Sequence, residues 1–213
     1  MRRSTMAAGS SKFITSMDQL MALYEAPSDV SIAKEIDYVS DHYRAFIEAA
    51  PFCALATCGP EGLDCSPRGD APGFVRVADR KTLLLPDRRG NNRIDSLRNI
   101  MRDPRVALLF LIPGIGETIR VVGSAALSID PELLAGFVVN GKTPSCVIVV
   151  TVEAVFYQCT KAIVRSKLWD PAGHVDRKML PTAGAILAGL TAGRLGGAEH
   201  DRGQAERTLA KLY

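Results

Sequence analysis

Residues 52–86 read FCALATCGPEGLDCSPRGDAPGFVRVADRKTLLLP. Short apolar or alternating runs at 52–58, 63–68, 74–78 and 82–86 are separated by Gly59-Pro60-Glu61-Gly62, by a Pro/Gly-rich loop and by Asp79-Arg80-Lys81. Runs of this length between turn-forming clusters are the pattern of consecutive β-strands. Further runs follow at 105–112 (RVALLFLI), 117–129 and 146–158 (CVIVVTVEAVFYQ). Gly123 interrupts the second of these and predicts a bulge or bend. Helical spacing occupies 17–24, then 31–50 with Ile32, Ile36, Val39, Tyr43, Phe46 and Ile47 on one stripe. Shorter helices are expected at 93–101, 131–138, 159–168 and 182–195. Six or more short strands with helices before, inside and after them predict a mainly β or α+β fold, an antiparallel barrel closed or nearly so.

Composition bounds the rest. The 213 residues are 47% hydrophobic and 23% charged, which excludes a disordered or collagen-like chain. A formal charge of +3 is too mild to imply a nucleic-acid or membrane partner by itself. Cys53, Cys58, Cys65, Cys146 and Cys159 are odd in number and form no CxxC, so buried free thiols of a reducing, cytoplasmic compartment are expected rather than a disulfide framework. His42, His174 and His200 lack metal-ligand spacing. No strand-linked GxGxxG, P-loop or GxSxG occurs. We expect a disordered tail at 1–16, one domain at 17–170 and a helical extension or tail at 171–213.

Three stretches carry chemistry. In 84–97 (LLPDRRGNNRIDSL) a strand runs through Asp87, Arg88, Arg89, Gly90, Asn91 and Asn92 into a helix near Arg93. Arginine forks and an incipient helix suit a phosphate monoester; a solvated basic turn with an asparagine cap uses the same residues. In 65–74 (CSPRGDAPGF) two prolines, two glycines, Arg68 and Asp70 exceed what a hairpin needs. The loop suits either a ligand edge or an internal Arg–Asp pair. In 159–170 (CTKAIVRSKLWD) Lys161, Arg165 and Lys167 accompany the single tryptophan, Trp169. That cluster fits a planar anionic ligand or an ordinary amphipathic helix.

Residues 52–70, 83–110 (LLLPDRRGNNRIDSLRNIMRDPRVALLF), 120–125 (RVVGSA) and 161–169 (KAIVRSKLW) together resemble the pyridoxamine 5′-phosphate oxidase-like, FMN-binding split-barrel superfamily, in its branch of oxidase-related FMN-binding proteins. The resemblance implies a six-stranded antiparallel split barrel with flanking helices, forming a homodimer with FMN in the grooves between subunits. It places the phosphate at Arg88, Asn91, Asn92 and Arg93, and the isoalloxazine along Arg68, Gly69, Asp70, Leu85, Pro86 and Asp87. Lys161, Arg165, Ser166 and Trp169 are the candidates for contacts from the partner subunit. Asn91-Asn92-Arg93 replaces the oxidase's Ser-Arg-Lys run, and the oxidase's C-terminal Arg-Leu-His-Asp-Arg pattern is not matched, so the flavin site carries over better than the vitamin B6 substrate site. The implied function is an FMN-dependent oxidoreductase using a small-molecule substrate or electron donor, with no catalytic acid or base identified. The alternative is a non-catalytic protein that stores or senses a flavin, deazaflavin or haem.

Overall fold

The computed structural model describes residues 12–213; residues 1–11, most of the tail expected at 1–16, lie outside the described residues. The described residues divide into two compact units, 12–34 and 35–213. In the first, Ser16 and Ser28 cap two short helices, α1 (Met17–Met21) and α2 (Asp29–Ala33). The second begins with α3 (Asp41–Ala49), where the Ser40 hydroxyl accepts the Tyr43 N–H.

The single helix expected over 31–50 is thus two helices. The stripe Ile32–Ile36–Val39 has helical spacing, but the Ile36 backbone exchanges both hydrogen bonds with Val155, at 3.0 and 2.8 Å. Those groups are then unavailable to a helical ladder, and Ser40 starts a new helix.

One antiparallel sheet forms the second unit's frame. Its strands are β1 (Phe52–Gly59), β2 (Gly62–Gly69), β3 (Arg76–Asp79), β4 (Thr82–Pro86), β5 (Arg105–Leu111), β6 (Thr118–Ser128) and β7 (Val147–Gln158), in the order β2-β1-β5-β6-β7-β4-β3. The resemblance implied six strands; there are seven, because the short β3 pairs with β4. The sheet is also open: β2 and β3 are its edges, with one partner each. The remaining helices are α4 (Asp95–Ile100), α5 (Pro131–Gly136), α6 (Lys161–Ser166), α7 (Ala183–Leu190), α8 (Gly197–Asp201) and α9 (Gln204–Ala210). None is long and apolar enough to cross a membrane among the described residues.

Period-two alternation decides which residues enter the core. In β5, Val106, Leu108 and Phe110 are buried while Ala107, Leu109 and Leu111 are half-buried on the other face. Leu55, Leu83, Leu85, Val121, Ile148, Val150 and Val155 join them, with Ile47 of α3 alongside. Each such side chain contributes about 1.5–3 kcal/mol of burial. Gly123 lies where the β6–β7 register shifts: Val122 opposes Ala154 and Gly123 opposes Val152, leaving Glu153 as the extra residue. α4 is pinned to β1 by Asn99, whose Nδ2 donates to Thr57 Oγ1 at 3.1 Å, both residues being buried.

Packing sorts the five free thiols. Burial pushes the Cys53 thiol up to about 12 and the Cys146 thiol up to about 11, the Asp87 carboxylate adding to the latter, whereas Cys65 and Cys159 are exposed. A thiol of pKa about 12 is about 0.01% thiolate at pH 8. Native alkylation at that pH should therefore label Cys65 and Cys159 and spare Cys53 and Cys146 until the protein is denatured. Mass spectrometry of the labelled peptides checks this; native labelling of Cys53 at the rate of Cys65 would contradict the burial.

Candidate functional site

The segments that follow β2 and β4 meet. Asp70, just beyond β2, accepts from Arg88 Nε, just beyond β4, at 2.8 Å, although five strand pairings separate β2 from β4. Sequence composition explains the approach: Pro67, Gly69, Pro72 and Gly73 turn the chain out of β2, while Pro86 ends β4. The Arg88 side chain is 16% exposed and the Asp70 side chain 5%. Arg88 Nη1 also donates to Phe137 O at 2.6 Å. Asp70 Oδ1 accepts the Ala71 N–H at 2.8 Å and the Tyr213 hydroxyl at 2.7 Å. Burial alone would push the Asp70 carboxyl up. The bonds from Tyr213, Ala71 and Arg88 outweigh it and hold the group below its ordinary range.

Beside this pair lies Arg68. Its Nη1 reaches Pro67 O at 3.2 Å, but its Nε is buried with no hydrogen-bond partner. Burial raises the Asp87 carboxyl, and the Arg68 charge opposes that shift. Two clefts share these residues. One, of about 910 Å³, is lined by Arg68, Gly69, Asp70, Pro86, Asp87, Arg88 and Asn91 on the strand side. The other, of about 680 Å³, adds Ser66, Asn92, Arg93 and Ser96. Around its rim Asn92 and Ile94 stand at φ 60° and 52°, left-handed backbone that wraps the loop into α4. Asn91 Oδ1 accepts the Arg93 N–H at 3.1 Å. The Ser66 and Ser96 hydroxyls both donate to Asp64 Oδ2, at 2.9 and 2.7 Å.

Of the residues expected from sequence, Arg68, Gly69, Asp70, Pro86, Asp87, Arg88, Asn91, Asn92 and Arg93 therefore come together around the two clefts. Arg93 is exposed, its side chain 75% open and paired with Asp95 at 2.8 Å. Leu85 belongs to the core and lines neither cleft. Lys161, Arg165, Ser166 and Trp169 lie on and after α6; they line neither cleft of their own chain. There Trp169 Nε1 donates to Ile115 O at 2.8 Å and Ser166 Oγ to Ile163 O at 3.1 Å.

Sequence reasoning missed one wall entirely. His200, Gln204, Arg207, Thr208, Lys211 and Tyr213 line the larger cleft. The one signal for them is the spacing of Gln204, Arg207, Thr208 and Lys211, which puts four polar side chains on one helical face.

Comparison with known proteins bears on the same region. The sequence profile of the pyridoxamine 5′-phosphate oxidase family matches residues 39–159, more than half of the chain and both cleft-forming loops. No curated protein matches. A candidate pyridoxamine 5′-phosphate oxidase from Lactobacillus delbrueckii is 20% identical, with 57% of this chain and 95% of that one covered at a TM-score of 0.45. An FMN-binding protein from Syntrophomonas wolfei is 13% identical over 54% of this chain and 82% of that one, at 0.42. An F420 reductase is 19% identical over 56% and 98%, at 0.40. With a profile match spanning β1 to β7, this chain belongs to the pyridoxamine 5′-phosphate oxidase family.

Proposed function

We propose that the paired clefts hold FMN and that the protein is an FMN-dependent oxidoreductase acting on a small molecule. The observation that carries the reading is the Arg68 Nε, a buried cationic donor left without a partner where the two clefts meet. A buried donor in that condition costs free energy, and native proteins keep few of them without a ligand or function. Bound FMN would supply hydride and electron transfer. Arg68 would donate to an oxygen or nitrogen of that group. Asn91, Asn92 and Arg93 would face its phosphate, with Arg88 steadied by Asp70 so that its remaining donors keep a fixed direction. Gly69 and Pro86 would leave the ring a flat backbone edge.

The phosphate is the testable part. Each charge-assisted bond is worth about 1.5–3 kcal/mol, so two of them favour FMN over riboflavin by at least about a hundredfold. Fluorescence titrations of the two ligands measure this, and equal affinities would remove the phosphate from this loop.

The reading includes a homodimer. Ala107, Leu109 and Leu111 on β5, with Val164 and Leu168 near α6, form apolar surface that one chain leaves partly open, and α6 could then bring Lys161, Arg165, Ser166 and Trp169 to a partner's cleft. Sedimentation at micromolar concentration should give a dimer with an interface of more than roughly 2,000 Å², as obligate dimers have. A stable monomer would contradict it.

A further inference from the structure

The wall formed by α8 and α9 is attached in two different ways. α8 is fixed to α7: the Thr182 hydroxyl and the Gly184 N–H both donate to Asp201, at 2.6 and 2.7 Å. A Cβ on Gly184 would stand 2.2 Å from Gly197 O, so the two helices touch through backbone. α9, like α8, buries none of its residues; it is tied back to α8 through Arg207, whose guanidinium donates to Arg202 O at 2.5 Å and to His200 O. Between them Gly203 takes φ 67°, a left-handed conformation that glycine adopts without strain.

Two hydrogen bonds tie the far end of this segment across the cleft. Tyr213 Oη donates to Asp70 Oδ1, and Lys142 Nζ donates to the Tyr213 main-chain oxygen, each at 2.7 Å. The Arg88 guanidinium lies 5.5 Å from the Tyr213 ring centroid. Tyr213 also lines a neighbouring pocket of about 480 Å³ with Arg88, Arg89 and Lys142, so it stands between that space and the larger cleft. A segment with no buried residues, a permissive hinge and only polar attachments, Arg207 at its near end and Tyr213 and Lys142 at its far end, opens at far lower cost than the sheet beneath it.

We propose that residues 204–213 are a strap across the cleft, hinged at Gly203 and latched by Tyr213 and Lys142, and that ligands enter and leave only when the latch releases. This rests on the cleft being the ligand site, though not on the ligand being FMN. A gate of this kind changes how fast a ligand exchanges more than how tightly it binds.

The test uses full-length Tyr213→Phe, which keeps the ring and removes the hydroxyl, and Lys142→Met. Trypsin is applied without ligand, and FMN association and dissociation are followed separately by stopped-flow fluorescence. Loss of one hydrogen bond should speed cleavage after Arg202, Arg207 and Lys211 by about threefold to tenfold in each variant. FMN on- and off-rates should rise together by a similar factor, with Kd changing by less than about twofold. Unchanged cleavage in both variants overturns the strap. So does acceleration spread through the strands, and so does a faster off-rate at an unchanged on-rate, which would make Tyr213 a ligand contact. If wild-type protein binds no FMN, the flavin reading fails, while the cleavage experiment still decides the strap.

Discussion

Gly123→Ala should destabilise the protein by about 3 kcal/mol or more, the upper range of what overpacking a closed site costs. A Cβ there would lie 2.0 Å from Thr151 O and 3.0 Å from Thr151 C, both backbone atoms of the paired strand. No rotamer change relieves such a contact; β6 and β7 would have to separate at the point where their register already shifts. For a chain of this size that corresponds to a fall in Tm of roughly 6–12 °C. Gly189→Ala is the control. Gly189 lies in α7, where an added Cβ meets nothing within 4 Å, and alanine there should leave stability unchanged or raise it slightly. Urea melts of the two variants give the comparison. Equal stabilities would mean that the two strands are not held as closely as their pairing indicates.

Arg68→Met should move stability and ligand binding in opposite directions. Methionine fills much of the arginine's volume without a cationic donor. Removing a buried donor that lacks a partner lifts a penalty of about 1–3 kcal/mol, so the apo-protein should melt no lower than wild type. FMN affinity should fall by about a hundredfold, because a charged contact in a partly dry cleft disappears. Arg68→Lys should recover little of it, since an ammonium lacks the planar fork. A variant that melts lower and binds FMN unchanged would make Arg68 a structural residue. Opposed signs of this kind mark groups kept for function at the expense of folding.

Most of the strands were legible because they are short apolar or alternating runs closed by glycine, proline or aspartate; 82–86 coincides with β4, and Gly123 marks the register shift. The break between α2 and α3 was not legible, because Ile32, Ile36 and Val39 satisfy helical spacing while the Ile36 backbone pairs with a strand more than a hundred residues away. Nothing local announces such a pairing. The cleft loops at 67–71 and 86–93 stood out by their unusual density of proline, glycine and arginine. Their mutual approach did not, since it depends on the pairing of the whole sheet. The α9 wall was hidden for a different reason: a polar helical face turned toward a cleft has the same residue pattern as one turned toward solvent.

The open sheet has a consequence for solubility. An edge strand offers unpaired N–H and C=O groups that can template pairing with a foreign chain. β2 is such an edge, eight residues long, with Leu63 90% exposed. Yet it carries Pro67, which has no N–H to give, and the charged side chains of Asp64 and Arg68. These same residues line the clefts. The groups that the proposed ligand site would use thus also make this strand a poor seed for amyloid-like stacking, so on that proposal binding and resistance to aggregation draw on the same few positions.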